Sequence, residues 1–378
     1  MLRLRFTATH ELIKNAVESG AIPCAAYAVG QGGEVFTKKT VGYASLHPSR
    51  ELLRSDTLFD MASLSKLLAT TMVALRFLEE GRLLLSDPLS RFFTAEELKD
   101  APEGRGDATV FHLMTHTSGI TPHVALWNFV PASLVGTEDF DAAVSKVILS
   151  SPPICRVGEQ VYYSCMGYIL LQKILERMDG RRLDELARVY VFDPLGMTDT
   201  GYLPFGDNHN KPTCNAAATE LSAIHGYYIR GHVHDENAHF LGGVSGNAGV
   251  FSTLGDMTKF ARMLSLRGAV SCEDGRERFL SRRVFDLAVT DYTKGMNESR
   301  GLGFQLRPPL PALSAAGDLF AYGSYGHTGF TGTSLYVDAQ TGVWAVLLTN
   351  SVHLGRDNRG ESFRVRRLFY NTVMGEFS

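Results

Sequence analysis

The hydrophobic positions in the middle of the chain recur at the spacing of buried helices. Between 64 and 78 the apolar residues fall three or four positions apart, and Gly81 follows as a stop. The run 166–178 repeats this spacing and ends at Gly180. The apolar positions of the two runs are Leu64, Leu67, Leu68, Met72, Leu75 and Leu78, then Tyr168, Leu171, Ile174, Leu175 and Met178. The pattern therefore predicts two helices, each with one buried face.

Both ends of the chain carry short runs with the composition of β-strands. Near the N-terminus these are 25–30 and 34–43, joined by the hairpin turn Gln31-Gly32-Gly33, and near the C-terminus 333–337 and 343–349. A helix is predicted beside each pair, at 11–20 and at 361–374. We expect the two ends to share one sheet, interrupted by a mainly helical insertion.

This pattern predicts an α/β fold in two parts. Residues 1–60 and 270–378 form the predicted sheet domain, and residues 61–269 form the predicted helical domain. Prolines and glycines punctuate the connections of the middle part, as expected for turns between helices. No internal repeat is visible in the sequence.

Composition and charge favour small-molecule chemistry over other functions. Of the 378 residues 44% are hydrophobic, which is enough for a large core, and 37 basic against 40 acidic side chains leave a net charge of −3. The sequence therefore lacks the excess of basic residues that is typical of proteins that bind nucleic acid or an anionic membrane. The first twenty residues contain no apolar run of a secretory signal, so we expect a cytoplasmic protein, and the sequence does not indicate its oligomeric state.

The cysteines and histidines do not form a recognisable metal or disulfide pattern. Five scattered cysteines, without a Cys-x-x-Cys pair, indicate reduced thiols: Cys24, Cys155, Cys165, Cys214 and Cys272. The cluster His225, His232, His234 and His239 contains a His-x-His pair but lacks a third ligand at convincing spacing. We therefore predict neither a metal nor another cofactor.

The first candidate for chemistry is Ser63-x-x-Lys66, at the start of the first predicted helix. The i, i+3 spacing places the hydroxyl and the amine on one helix face, so the amine can take or relay the hydroxyl proton. The positive helix N-terminus is expected to lower the lysine pKa and to offer N–H groups to an oxyanion. Alone, this spacing also fits an ordinary helix start with a solvated lysine.

Two further candidates lie far along the chain. Tyr163, in the sequence Tyr162-Tyr163-Ser164-Cys165, stands just before the second predicted helix, where a phenol can point from a loop into a site. His327 is surrounded by small or flexible residues that would let a strand edge approach a ligand. A packing tyrosine and a sharp loop are the alternative interpretations.

Together these motifs resemble the three signatures of the serine β-lactamase and penicillin-binding-protein superfamily. The signatures are Ser63-x-x-Lys66, Tyr163-Ser164-Cys165 and His327-Thr328-Gly329, in that order. Further stretches resemble the branch of class C β-lactamases, DD-peptidases and β-lactamase-like esterases: FDMA at 59–62, LMTHTSG at 113–119, GYIL at 167–170 and PLGM at 194–197. The segment 230–238 is similar, more loosely, to relatives linked to muropeptide handling.

The resemblance implies an antiparallel sheet flanked by helices, a mainly helical domain, and an active site in the cleft between them. It implies that Ser63 is the acylated nucleophile, that Lys66 and Tyr163 shuttle its proton, and that His327 occupies the position of the usual lysine or histidine. The backbone N–H groups of Ser63 and Phe330 would form the oxyanion hole. Cys165, Thr328 and Gly329 would contact the substrate.

One departure from the family pattern bears on the substrate. Where the family commonly has asparagine, this chain has Cys165, and a thiol is a poor substitute in hydrogen bonding. We therefore expect an ester or small amide, including muropeptides, as the substrate, with β-lactamase or DD-peptidase activity as alternatives. A ligand-binding relative without turnover and a thiol hydrolase using Cys165 are alternatives from other classes.

Overall fold

A computed structural model of the chain describes residues 6–203, 215–222, 226–270, 277–357 and 359–377. It contains ten strands: β1 Cys24–Gln31, β2 Glu34–Ser45, β3 Glu51–Leu52, β4 Phe59–Asp60, β5 Gly201–Tyr202, β6 Val250–Ser252, β7 Gln305–Leu306, β8 Tyr325–Thr328, β9 Ser334–Val337 and β10 Val343–Leu348. Seven of them form one antiparallel sheet in the order β3-β2-β1-β10-β9-β8-β7, and the others form a small sheet in the order β4-β6-β5.

The α-helices lie at both ends of the chain and throughout its middle. They are α1 Thr7–Glu18, α2 Met72–Glu79, α3 Ala95–Leu98, α4 Val110–Met114, α5 Phe140–Leu149, α6 Cys165–Asp179, α7 Leu183–Ala187, α8 Glu236–Phe240, α9 Leu254–Ser265, α10 Arg282–Ala288 and α11 Arg359–Phe377. Two segments are π-helical: Lys66–Thr71 directly precedes α2, and Arg188–Phe192 directly follows α7. Short 3-10 turns lie at Leu89–Arg91, Arg105–Asp107, Leu126–Asn128, Ala132–Leu134 and Ser351–Leu354.

The predicted sharing of one sheet by both ends of the chain is confirmed. Strand β1 pairs antiparallel with β10, with Ala26 opposite Leu348. The side chains of β1 alternate between two cores, as the two-residue period of a strand requires. Ala25, Tyr27 and Val29 belong to the core that α1 and α11 complete, whereas Ala26 and Ala28 belong to the larger core on the other face. The apolar composition of β1 from Cys24 to Val29, near the centre of the sheet, follows from this double burial.

The mixed α/β fold with an antiparallel sheet flanked by helices is likewise confirmed. The division into the ranges 1–60 with 270–378 and 61–269 stays a prediction. Helix α9 belongs to the predicted helical part of the chain, yet it packs against β1 and β10 of the sheet. No helix among the described residues is long and apolar enough to cross a membrane.

The first predicted helix is present, but its first turns are not a plain α-helix. The π-helical segment Lys66–Thr71 is fully buried, and α2 continues it. Hydroxyl groups within this segment bond to neighbours outside the helix: Thr70 donates to the Gly246 carbonyl oxygen at 2.8 Å, and Thr71 lies 3.2 Å from the Tyr168 hydroxyl. Such π-turns occur often at functional sites.

The loop 242–249 approaches α6 so closely that one of its glycines has no room for a side chain. The Gly246 N–H donates to Gln172 Oε1 at 2.8 Å. A Cβ atom on Gly246 would lie 2.1 Å from the Tyr168 carbonyl oxygen, which is backbone and cannot move aside cheaply. The glycine is therefore needed for the close approach of two backbones.

We expect Gly246→Ala to destabilise the protein by about 2 kcal/mol or more, because the added methyl group forces loop and helix apart. Gly201→Ala is the matched control, since a Cβ atom there meets nothing within 4 Å. Its effect should stay within about 0.5 kcal/mol. The urea concentrations at the unfolding midpoints measure the stability of the two variants relative to wild type. Equal stability of the two variants would show that the loop moves without cost.

Candidate active site

Ser63 stands just before the first buried helix, on a loop whose conformation is tightly held. The preceding residue, Ala62, adopts a left-handed backbone conformation with φ of 46°, which is unusual for a residue with a side chain. Its N–H donates to Asp60 Oδ1 at 2.8 Å, which helps to hold this turn. The Ser63 N–H donates to no group in the described chain, so it is available to an oxyanion.

The Lys66 amine is fully buried and lies against Ser63. Its Nζ atom donates to Ser63 Oγ at 3.1 Å, to the Asn247 carbonyl oxygen at 2.9 Å and to Cys165 Sγ at 3.4 Å. An ammonium has three N–H groups, and these three acceptors use all of them. The structure thus brings Ser63, Lys66 and Cys165 together, as the sequence predicts.

The protonation state of Lys66 differs from the expectation. Burial lowers the pKa of the amine, but the negative charges of Cys165 and Tyr163 in their ionised forms raise it, and the balance lies above the ordinary value. The predicted lowering of the lysine pKa is therefore wrong. The helix N-terminus was the reason for that prediction, and the neighbouring groups that can carry negative charge outweigh it. Lys66 is an ammonium at neutral pH.

Tyr163 lies between the lysine and two histidine rings. Lys66 Nζ is 4.9 Å from the centroid of the Tyr163 ring, and the ring centroids of His116 and His327 are 4.6 and 5.9 Å away. The Tyr163 hydroxyl oxygen is buried and has no hydrogen-bond partner in the described chain. A buried polar atom without a partner costs free energy unless a ligand or a function satisfies it.

His116 positions Tyr163, a role that the sequence did not reveal. Its carbonyl oxygen accepts the Tyr162 N–H at 2.9 Å, and its Nδ1 accepts the Ser164 N–H at 3.1 Å. The residues on both sides of Tyr163 are thereby hydrogen-bonded to one histidine, one to its backbone carbonyl and one to its ring. Burial, together with the charges of Arg300 and Lys66, lowers the His116 pKa well below its usual value, so Nδ1 stays an acceptor. In the sequence, His116 is part of the motif LMTHTSG at 113–119, and nothing there indicates a contact with Tyr163.

His327 lies on β8, buried and neutral. Its Nδ1 is 2.8 Å from the Thr328 carbonyl oxygen and therefore carries the proton, which leaves the buried Nε2 as an acceptor without a partner in the described chain. Burial and the positive charges of Arg300 and Lys66 lower the His327 pKa to about 3. This imidazole is therefore neutral near pH 7. His327 supplies no positive charge to the site.

The turn after β8 is bonded directly to the nucleophile loop. Thr331 Oγ1 donates to the Asp60 carbonyl oxygen at 2.7 Å, and Thr333 Oγ1 donates to the Met61 carbonyl oxygen at 3.1 Å. A Cβ atom on Gly329 would approach the same Met61 oxygen to 2.4 Å, so this position requires glycine. These bonds bring the segment with Thr328, Gly329 and Phe330 beside Ser63.

The segment 230–238 also reaches this region. The His234 N–H donates to Asp60 Oδ2 at 2.7 Å, and the His234 ring stacks on Phe330 with centroids 5.7 Å apart. His234 Nε2 also lies 3.2 Å from Glu220. The histidine therefore packs against the residue whose N–H is predicted to bind an oxyanion.

The histidines and cysteines noted in the sequence form no metal centre among the residues that the structure describes. His232 and His239 have ring centroids 6.2 Å apart, and no group of three or more potential ligands in the described ranges could hold a metal ion. His225 lies outside the described residues. Cys24, Cys155 and Cys165 are free thiols, and Cys214 and Cys272 lie outside the described residues.

A second cation approaches Tyr163 from the other end of the chain. The Arg300 guanidinium carbon is 5.2 Å from the Tyr163 ring centroid, and Arg300 is 4% exposed. Nothing in the sequence around Arg300 distinguished it from a surface arginine. Its placement results from tertiary packing.

Sequence comparison places the chain among known hydrolases. The Beta-lactamase family model matches residues 9–368. A putative D-alanyl-D-alanine carboxypeptidase of Escherichia coli O157:H7 is 29% identical over 311 residues, which are 79% of this chain and 70% of that protein. An N-acetylmuramyl-L-alanine amidase of Bacillus subtilis (strain 168) is 25% identical over 366 residues, 91% of this chain and 80% of that protein.

Solved structures share the fold. The octameric penicillin-binding protein homologue from Pyrococcus abyssi superposes with a TM-score of 0.68 at 22% identity, covering 91% of this chain and 73% of that one. EstCE1, a hydrolase with promiscuous acyltransferase activity, superposes with a TM-score of 0.71 at 21% identity, covering 97% of both chains. The chain therefore belongs to the Beta-lactamase family and is a hydrolase of the serine β-lactamase and penicillin-binding-protein type.

Proposed function

We propose that the protein hydrolyses an ester or small amide through an acyl-enzyme on Ser63. The observation that carries this proposal is the contact between Ser63 Oγ and the buried Lys66 Nζ, at 3.1 Å. An ammonium removed from water is costly unless its surroundings compensate it or it serves a function. Here one of its three N–H groups is directed at a serine hydroxyl at a helix start.

The base in this proposal is Tyr163. The Lys66 ammonium has no lone pair, and its three N–H groups are already donated, so it does not accept the serine proton. The buried Tyr163 hydroxyl has no other partner in the described chain, and its ring lies 4.9 Å from Lys66 Nζ. Lys66 therefore orients Ser63, and Tyr163 is the group free to accept the proton.

Acyl transfer then takes two steps. Ser63 Oγ attacks the substrate carbonyl carbon while the Tyr163 phenolate takes the hydroxyl proton, and the N–H groups of Ser63 and Phe330 stabilise the negative oxygen. Tyr163 returns the proton to the leaving alcohol or amine as its bond to the carbonyl carbon breaks. A water molecule, deprotonated in the same way, releases the acid and restores Ser63.

Cys165 supports the choice of substrate. Its sulfur occupies one of the Lys66 contacts, at 3.4 Å, where the family commonly presents a carboxamide to the substrate. We therefore favour esters and small amides, with muropeptide amides first among the amides because one relative is named an N-acetylmuramyl-L-alanine amidase. β-Lactam hydrolysis and DD-peptidase activity are the alternatives in this class. A ligand-binding protein without turnover is the alternative outside it.

Incubation with a fluorophosphonate should add one group to the protein, on Ser63, because the reagent forms a stable ester with an activated serine. Intact mass and peptide mapping measure the adduct. Ser63→Ala should take no label. Ser65→Ala is the matched control and should label normally, because the Ser65 hydroxyl accepts the Val250 N–H instead. Labelling of Ser63→Ala at the wild-type rate would contradict the assignment.

A Cys165→Asn variant tests the substrate preference. A carboxamide donates a stronger hydrogen bond to a substrate carbonyl than the weakly donating thiol does, so kcat/KM for nitrocefin should rise about tenfold relative to that for a p-nitrophenyl ester. Cys165→Ser is the control, since it changes the polarity of the position without providing an amide. If the ratio of the two activities is the same in all three proteins, Cys165 does not set the preference.

A further inference from the structure

One buried carboxylate connects the nucleophile loop to a distant segment of the chain. Asp60 ends strand β4, three positions before Ser63, and is 2% exposed. Its Oδ1 accepts the Ala62 N–H at 2.8 Å, and its Oδ2 accepts the His234 N–H at 2.7 Å. Both carboxylate oxygens are therefore used, and each holds the backbone of a different segment.

The bond to Ala62 acts on the nucleophile. The left-handed backbone of Ala62, with φ of 46°, costs free energy for a residue with a side chain. The hydrogen bond from its N–H to Asp60 helps to compensate that cost. Because Ala62 directly precedes Ser63, this bond also helps to set the direction of the Ser63 N–H, one of the two oxyanion donors in the proposed reaction.

The segment of the second donor is connected to the same aspartate from two sides. Thr331, which directly follows Phe330, donates from Oγ1 to the Asp60 carbonyl oxygen at 2.7 Å. On the other side the His234 ring stacks on Phe330, with centroids 5.7 Å apart and planes inclined by 22°. Phe330 therefore lies between two residues that are both hydrogen-bonded to Asp60.

Charged side chains hold the His234 ring in its turn. His234 Nε2 lies 3.2 Å from Glu220 Oε2. Arg356 donates to Glu220 from Nε at 2.9 Å and to Glu236 from Nη2 at 2.9 Å. The contact with Glu220 limits the freedom of the histidine to turn away from Phe330.

We propose that Asp60 is a positioning residue that sets the separation of the two oxyanion donors, the N–H groups of Ser63 and Phe330. The inference rests on the proposed function, in which these groups stabilise the negative oxygen. Such stabilisation requires donors about 2.7–3.1 Å from that oxygen, so a small displacement of either segment weakens it. Asp60 is buried and acts through the two segments, not on the substrate itself.

The first test compares a p-nitrophenyl ester with its thiono analogue, in which sulfur replaces the carbonyl oxygen. Sulfur is the weaker hydrogen-bond acceptor, so the thiono ester depends less on the oxyanion donors. Asp60→Asn keeps the size of the side chain, but one of the two backbone N–H groups then faces an NH₂ group. kcat/KM should fall about 30-fold for the oxygen ester and about threefold for the thiono ester, so their ratio falls about tenfold.

Asp338→Asn is the matched control. Asp338 is also 2% exposed, and its two oxygens likewise accept backbone N–H groups, from Ala321 at 2.6 Å and from Thr341 at 2.8 Å. These partners lie before β8 and in the turn after β9, outside the two oxyanion segments. The control should lower the urea midpoint of unfolding but leave the ratio of the two ester activities within about twofold of wild type.

Thr331→Val tests the same inference without changing a charge. It keeps the shape of the side chain and removes the hydroxyl that bonds to the Asp60 carbonyl oxygen. The ratio of oxygen-ester to thiono-ester activity should fall in the same direction, by about threefold. If Asp60→Asn does not fold, this variant decides, and an unmoved ratio in it would overturn the inference.

Binding of phenylboronic acid gives a readout that does not need turnover. Its boron bonds to Ser63 Oγ, and the tetrahedral adduct resembles the transition state of acyl transfer. The dissociation constant should rise about tenfold in Asp60→Asn and stay within about twofold of wild type in Asp338→Asn. An equal loss of activity with both esters, or an unchanged boronate affinity, would contradict the role of Asp60. Failure of Ser63 to take the fluorophosphonate would instead overturn the proposed function.

Discussion

A single buried ammonium organises the site. Removing an ammonium from water costs several kcal/mol, and the protein compensates Lys66 with acceptors from three separate segments: Ser63 before the helix, Cys165 at the start of α6, and the Asn247 carbonyl in the loop 242–249. Because each acceptor must be at hydrogen-bond distance, the charge fixes these segments relative to one another. The glycine at 246 follows from this constraint, since it lets the loop reach both α6 and the lysine.

The same charge sets the electrostatic character of the surrounding groups. With Lys66 and Arg300 both positive and buried, a third cation beside them would be strongly unfavourable, and burial adds to that cost. His116 and His327 are accordingly neutral. The neutral state suits their contacts: His116 Nδ1 accepts the Ser164 N–H, and His327 Nδ1 donates to a carbonyl.

The sequence predicted strands β1, β2, β9 and β10 and helices α1, α2, α6 and α11, because strand composition near the ends and helical spacing in the middle of the chain are visible in it. It did not predict the short strands or the short helices between them. It also identified Ser63, Lys66, Tyr163, Cys165 and His327, which the structure brings together. Three features could not be predicted from it. The π-helical segment at Lys66 forms hydrogen bonds to distant parts of the chain. The residues on both sides of Tyr163 are bonded to His116, which lies 47 positions earlier than Tyr163. Arg300 reaches the Tyr163 ring through long-range packing. The lysine pKa was mispredicted because the helix end was visible in the sequence and the acceptors were not.

The most direct test of this account is the titration of Lys66 itself. In protein carrying isotope-labelled lysine, with the Lys66 signal assigned by its absence from Lys66→Arg, nuclear magnetic resonance follows the charge of Nζ as the pH rises. The account predicts that Lys66 stays protonated after the exposed lysines have lost their protons, above the ordinary value of 10.5. A Lys66 amine that loses its proton at lower pH than the exposed lysines would contradict it, and the amine rather than Tyr163 would then be the base.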